Sequence, residues 1–286
     1  PQLDHLRSAR AAGIRTGVCV YSWDHLSSKA LIRVVPDRVF VWNDTQRREA
    51  VDLHGLPDDR IIVTGAQCYD QWFGSEPSRT RTEFCVSSGL DPERPFLVYL
   101  CSALTPDPRE SRFVERWIRA IRNSAVSSLQ GIGIVIRPHP ERRREWEEID
   151  VSGFGNVVIA EAIPTSAEAK ADYFDAVAHS DGVVGLVTSA FLEAAIIGRP
   201  VLTVLEPELW RHQEGMLHFR YLLEVEDGLL TVARGLPEHI EQLGAALAGR
   251  LSYRERQRRF LVAFVRPGGM DRPATPVFVD GVERLA

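Results

Sequence analysis

Between Asp172 and Pro207 the sequence leaves few folds open. A short helical stretch carrying Phe174, Val177 and Ala178 ends at Asp181-Gly182, and an apolar run over 183–187 follows at once. A turn of small residues, Thr188-Ser189-Ala190, leads into a helix that places Glu193 one turn in and stops at Gly198. Pro200 then opens a second apolar run over 201–205. Strand, tight turn, helix, Gly-x-Pro, strand closes as a βαβ unit, because strands joined by a helical crossover run parallel. The helix N-terminus then faces the carboxyl end of the first strand. Free N–H groups and a partial positive charge at such an end suit a phosphate.

The same alternation runs through the chain. Strands are expected at 16–21, 38–42 and 61–65, with helices at 3–12 and 46–53, the latter capped by Asp44 or Thr45. The pattern weakens over 70–95, where Gly74, Pro77, Gly89, Pro92 and Pro95 surround one short helix at 79–88. It resumes with strands at 96–100, 133–136 and 156–159 and an amphipathic helix at 110–129 with Phe113, Trp117, Ile118 and Ile121 on one face. Beyond the opening stretch, a short strand is expected at 223–226, helices at 237–247 and 253–264, and an extended tail over 266–276. The fold class is α/β in two lobes. The expected division is an N-terminal lobe at 1–75, a linker at 76–94, a C-terminal lobe with the phosphate-suited edge at 95–265 and a tail at 266–286. The chain opens at Pro1 inside a helix, so the first lobe reads as incomplete.

Composition narrows the function classes. A net charge of -5 gives no electrostatic case for nucleic acid. The arginine groups at 142–144 and 254–259 lie among glutamates in helical contexts and read as solvated faces. No apolar run is long enough to span a bilayer and no signal peptide is recognised. Cys19, Cys68, Cys85 and Cys101 lack metal or disulfide spacing and read as reduced thiols. The expected compartment is the cytoplasm, with peripheral association to the inner face of a membrane left open.

Five groups of residues carry the chemistry, four of them with a plainer alternative. Arg137 and His139 end a strand, and Pro138 and Pro140 brace them; a fixed cation beside an aimed imidazole suits a phosphate leaving group, and a packed histidine in a proline turn is the alternative. Thr188 and Ser189 open the next unit at the same sheet edge. Glu193 either accepts the two hydroxyls of a ribose or complements the helix dipole. Gln213, Glu214 and Gly215, after His212, form a third loop on that edge, as polar contacts or as a solvated loop. In the first lobe Asp24 or His25 is the candidate general base, Ser28 and Lys29 the candidate donor-phosphate contacts, and Trp23 a candidate sugar platform; a loop capped by Asp24 or Ser27 is the alternative.

The R-P-H-P of 137–140, the S-x-x-x-E of 189–193, the G-R-P-V of 198–201 and the S-W-D-H-L-S-S-K of 22–29 resemble GT-B fold glycosyltransferases. They are similar above all to CDP-glycerol glycerophosphotransferases of teichoic-acid synthesis and to CMP-sugar sialyl- and Kdo-transferases with a His-Pro motif. The resemblance implies two Rossmann-like lobes, the first on the acceptor side and the second binding the nucleotide, with the tail crossing back to the first. It also implies transfer of a sugar or polyol phosphate from a nucleotide-activated donor, cytidine favoured, to a glycan or cell-surface polymer in bacteria. It places His139, Arg137, Thr188 and Ser189 on the donor phosphate and Glu193 on ribose. It implies no metal and no cofactor beyond the donor, since basic residues and a helix dipole stabilise the leaving group. A UDP-N-acetylglucosamine 2-epimerase-like enzyme and a non-catalytic nucleotide- or glycan-binding relative are the competing expectations; the oligomeric state is not indicated.

Overall fold

The computed structural model describes residues 2–29, 31–103, 110–147, 149–160 and 165–285. The first elements are α1 (Gln2–Ala11), β1 (Gly17–Cys19), β2 (Arg38–Val41), α2 (Asp44–Asp52), β3 (Ile61–Val63), α3 (Asp70–Phe73) and α4 (Arg81–Ser88). There follow β4 (Phe96–Leu100), α5 (Glu110–Arg122), α6 (Ser127–Gln130), β5 (Gly133–Arg137), α7 (Arg143–Glu147), β6 (Val157–Ile159), α8 (Ala167–His179), β7 (Gly182–Gly185), α9 (Ala190–Ile196) and β8 (Val201–Val204). The last are α10 (Leu217–Glu224), β9 (Thr231–Ala233), α11 (Leu236–Leu247), α12 (Arg254–Phe264) and α13 (Ala274–Glu283). The chain divides into two compact units, one of residues 1–74, 224–228 and 256–286, the other of 75–223 and 229–255.

The first unit is a parallel three-stranded sheet in the order β1-β2-β3. Alternation along β2 sends Val39 and Val41 into a core with Ala50 of α2, while Phe40 points the other way. The second face is covered by α13. Phe278 meets the Phe40 ring edge-on at 5.2 Å, and Gly281 lies so close that a Cβ there would come within 2.8 Å of that ring. Asp70 anchors the helix. Its carboxylate accepts from Arg266 Nε (3.1 Å) and Nη2 (2.7 Å), from the amides of Ala274 (3.1 Å) and Thr275 (2.7 Å), and from the Thr275 hydroxyl (2.6 Å). Burial pushes this carboxyl up, but the Thr275, Ala274 and Arg266 donors outweigh it and hold it below the usual carboxylate range. The Arg266 side chain is 6% exposed and lies 3.5 Å over the Phe73 ring.

The second unit is a six-stranded parallel sheet in the order β6-β5-β4-β7-β8-β9. The predicted stripe on α5 is its inner face: Phe113, Trp117, Ile118 and Ile121 are buried with Tyr99 of β4 and Leu243 of α11. The strand order reverses at β4, and the carboxyl ends of β4 and β7 flank that switch point.

Four local expectations change. Asn43, not Asp44 or Thr45, caps α2, its side chain accepting from Gln46 N at 2.9 Å. Residues 76–94 are no free linker: Asp175, fully buried in α8, accepts from the Ser78 amide (2.7 Å), the Ser78 hydroxyl (2.8 Å) and Arg79 Nε (2.8 Å). The strand expected at 223–226 lies instead at 231–233, because α10 runs through Leu223 and the chain turns at Glu226 and Asp227 with φ of 51° and 66°. The tail expected to be extended becomes helical at Ala274, where Asp70 supplies the acceptors its first amides need.

Two predictions follow from these contacts. Asp70→Ala strands the buried Arg266 charge and should lower the unfolding free energy by about 3–5 kcal/mol in urea denaturation at pH 7, with α13 the first segment cut in limited proteolysis. His239 is fully buried in α11 with neither ring nitrogen bonded among the described residues, and burial pushes it from 6.5 down to about 3. The unfolded chain therefore takes up this proton first, and the stability of the neutral ring is lost as pH falls below 6.5, by about 5 kcal/mol in the acid limit. His239→Leu should flatten the fall in urea midpoint between pH 6.5 and 4.

Candidate functional site

The carboxyl edge of the six-stranded sheet is held by buried carboxylates. At the end of β4, Glu110 accepts from Tyr99 Oη (2.9 Å), the Ser102 amide (2.7 Å) and the Ser102 hydroxyl (3.1 Å). The Ser102 hydroxyl in turn accepts from the Val187 amide at 3.0 Å, so one side chain ties β4 to the segment after β7 across the switch point. Burial pushes the Glu110 carboxyl up to about 7, against the lowering pull of its Ser102 and Tyr99 donors.

The turn after β7 is more self-contained than its sequence implies. The Thr188 hydroxyl accepts from Ala190 N at 3.3 Å, the Thr188 carbonyl from Phe191 N at 3.4 Å and the Ser189 carbonyl from Leu192 N at 3.0 Å. Three of the amides expected to await an anion are thus used within the turn. Ser189 occupies the cap position of α9 without a side-chain capping bond and is exposed.

Glu193, in α9, receives the Tyr173 hydroxyl of α8 on Oε2 at 2.5 Å. Burial pushes its carboxyl up to about 7, and the Tyr173 donor pulls the other way. The Tyr173 ring lies under the Arg137 guanidinium at 5.1 Å. Arg137 is 6% exposed, and its Nη1 donates to Asp172 at 3.1 Å. The arginine expected on a donor phosphate is therefore already answered by a carboxylate and an aromatic face; its Nη2 is buried without a partner among the described residues. Asp172 also accepts from Arg79 Nη2 at 2.6 Å.

His139 follows β5. Its Nδ1 accepts from Glu141 N at 3.3 Å, which opens the turn at Pro140–Arg142. Burial pushes the imidazole below its usual range, with Glu141 opposing. The ring is then neutral near pH 7, and with Nδ1 accepting, its proton belongs on Nε2 as a donor.

The third loop is structural. Gln213 is 1% exposed: its Oε1 accepts from Glu206 N at 3.0 Å, and its Nε2 donates to the carbonyls of Val204 (2.8 Å) and Leu186 (3.4 Å). The amide thus stitches the ends of β7 and β8 and is spent. Glu214 pairs with Arg234 at 3.6 Å. Gly215 makes a close backbone approach, but to Trp210: its amide donates to the Trp210 carbonyl at 2.8 Å, where an added Cβ would collide.

In the first unit, residues 25–29 form one π-helical turn rather than a loop. Trp23 is 5% exposed and belongs to the core, which removes it as a sugar platform. Asp24 receives the Ser22 hydroxyl, the Ser28 hydroxyl at 3.2 Å and an ion pair from Lys29 at 3.0 Å, so Asp24, Ser28 and Lys29 satisfy one another. His25 stands apart, with its ring edge-on to Tyr21 at 5.1 Å and Nδ1 buried without a partner among the described residues. Burial and Lys29 push it below the usual histidine range, Asp24 opposing, which leaves a neutral imidazole able to take a proton near pH 7.

Tyr173, Asp172, Arg79, Ser102 and Glu110 escape the sequence argument. A signal existed for some of them. Asp172 and Asp175 share a helix face at i,i+3, and a tyrosine inside the apolar run FLVYL needs a partner for its hydroxyl. Among the described residues no group of three or more His, Cys, Asp or Glu could hold a metal ion, and no helix is long and apolar enough to cross a membrane.

No protein-family model and no curated protein matches the chain. Solved structures do. The wall teichoic acid polymerase TagF superposes over 91% of this chain at 13% identity with a TM-score of 0.55, and the match takes in 66% of that polymerase. In a second TagF structure the share is 59%, so the chain spans less than two thirds of it. UDP-GlcNAc 2-epimerase from Neisseria meningitidis matches over 97% of this chain and 72% of its own, at 14% identity and a TM-score of 0.60. WaaG, a glycosyltransferase involved in lipopolysaccharide biosynthesis, matches over 87% of this chain and 62% of its own, at 13% identity and 0.50. At these identities the likeness is one of fold, and the fold is of GT-B type.

The assignment of Gln213 has a direct check. A ligand-facing glutamine is replaced without loss of stability, whereas Gln213→Ala here orphans buried backbone groups and should cost about 2–3 kcal/mol in urea denaturation.

Proposed function

We propose that this chain binds a nucleotide-activated donor at the carboxyl edge of its six-stranded sheet and transfers a sugar or polyol phosphate from it. The observation that carries the reading is the pairing of functions on that edge. After β5 comes His139, a neutral ring with an Nε2 proton to donate; after β7 comes Glu193, a carboxylate braced on one oxygen by Tyr173. A donor hydrogen bond suits the phosphate of a nucleotide and a carboxylate suits its ribose. In the transfer, the acceptor oxygen attacks the carbon or phosphorus bonded to the donor phosphate, and the bond to the departing nucleotide breaks. The hydrogen bond from His139 strengthens as negative charge grows on the leaving oxygen. Thr188 and Ser189 are assigned to the same phosphate and Arg137 to bracing the site. The acceptor hydroxyl gives up its proton to a general base; of the candidates Asp24 and His25, Asp24 is ion-paired with Lys29, and His25 has no ion pair among the described residues.

A cytidine nucleotide and a glycan or cell-surface polymer are the proposed donor and acceptor, in the cytoplasm. The support is the quoted motifs together with the fold shared with TagF and WaaG, a wall-polymer and a lipopolysaccharide enzyme by their descriptions. A second reading, epimerisation of a UDP-sugar, draws on the longer match to the epimerase fold, 97% of this chain against 91% for TagF.

A thermal-shift series with CMP, CDP, UDP, GDP and UDP-N-acetylglucosamine tests both. A CMP or CDP at about a hundred times its Kd should raise Tm by roughly 5 °C or more, and His139→Ala should remove most of the rise. No rise with any nucleotide sinks the transferase. Stabilisation by UDP-N-acetylglucosamine with formation of its 2-epimer replaces transfer by epimerisation.

A further inference from the structure

We propose that Tyr173 is a positioning residue, one that aims the Glu193 carboxylate at the vicinal hydroxyls of a bound ribose so that this edge prefers ribonucleotides over 2′-deoxyribonucleotides. The inference rests on the nucleotide reading above and adds a specificity device to it. Tyr173 sits in α8, twenty positions before Glu193, and its hydroxyl reaches across to Oε2 at 2.5 Å. The second carboxylate oxygen has no hydrogen bond among the described residues, and the side chain is half-buried, so one acceptor is held and the other is open. The tyrosine is itself fixed from behind. Arg137 stacks on its ring at 5.1 Å and is locked by Asp172 at 3.1 Å. Phe191, Leu192, Ala194 and Ala195, the neighbours of Glu193 in α9, are buried, so the helix that carries the carboxylate is fixed against the core.

The electrostatics make the device pH-dependent. The strands packed on α9 are β7 (GVVG) and β8 (VLTV), neither with a titratable side chain, and α9 itself carries Glu193 alone. Among the described residues the titratable group that faces it directly is Tyr173, and behind that ring lies the Arg137–Asp172 pair. Burial pushes the Glu193 carboxyl up to about 7 while the Tyr173 donor lowers it. A ribose O–H donates well to a carboxylate and poorly to a carboxylic acid. The preference for the vicinal diol is therefore present above pH 7 and fades as pH falls through 7. Removing the Tyr173 hydroxyl raises the carboxyl further and moves the midpoint upward.

Titration calorimetry with CDP, UDP and GDP and their 2′-deoxy counterparts at pH 6, 7 and 8.5 reads this out. The wild-type protein should favour the ribonucleotide roughly tenfold or more at pH 8.5 and much less at pH 6. Tyr173→Phe keeps the ring that Arg137 stacks on. It should bind with a preference reduced several-fold at pH 7 and largely restored at pH 8.5. Glu193→Gln should show one small ratio at all three values. A wild-type ratio and pH profile in Tyr173→Phe overturns the role of Tyr173. If ribo- and deoxyribonucleotides bind equally at every pH, this inference fails and the nucleotide reading stands. If no nucleotide binds, both fail.

Discussion

The guanidinium of Arg137 sits out of water at the end of β5, and a charge so placed must be answered by the protein. Asp172 answers it with one oxygen and gives the other to Arg79, which also reaches Asp175. Two cations and two anions thus close on one face of α8, a balance in which each ion offsets the desolvation of its neighbour. The network draws the Ser78–Arg79 segment onto α8, sets α8 against β5, and holds the Tyr173 ring under a cation. Through that ring it fixes the carboxylate of Glu193 in α9. Two crossover helices and a strand end therefore take their relative positions from a single buried charge. Removing Asp172 strands the buried guanidinium of Arg137, which costs far more than a surface ion pair is worth.

The same sheet edge holds a second carboxyl of similar character. Glu110 and Glu193 are both pushed up to about 7 by burial, but they differ in what they leave open. Glu110 takes donors on both oxygens and, through Ser102, fixes the amide of Val187. Glu193 takes one donor. The first is a strut across the switch point of the sheet; the second keeps one oxygen without a donor among the described residues. Gln213 completes the frame by saturating the ends of β7 and β8. A rigid set of strand ends with one unspent carboxylate oxygen and one histidine donor is the arrangement a preorganised polar site needs.

Much of this architecture was legible in the residues. Apolar runs and Gly-x-Pro punctuation locate all six strands of the larger sheet but one, and the α5 stripe of Phe113, Trp117, Ile118 and Ile121 reads as a core face because its spacing is helical. The exception, β9, fails because Leu222, Leu223 and Val225 look like a strand while α10 and a left-handed turn at Glu226 absorb them. The site was legible by position more than by role. His139, Thr188, Ser189 and Glu193 do stand after the carboxyl ends of their strands. The fates of Arg137 and Gln213 were hidden, because each is consumed by partners 35 residues or fewer away in sequence that only the packed sheet brings to it. Asp24 and Lys29 looked like two independent functional groups and are one ion pair.

The docking of α13 on the first sheet has a consequence for the order in which the protein is made. Asp70 waits for Arg266 and Thr275, 196 and 205 positions later. On a ribosome the whole second unit, residues 75–223 and 229–255, is synthesised while one face of the first sheet is still bare, with Phe40 lacking its aromatic partner. The second unit can fold as it emerges, but the first can finish only once residues 256–286 have followed it. Its three short strands stay an unfinished surface while the second unit is made, the kind of segment on which chaperones act, and residues 256–286 close it.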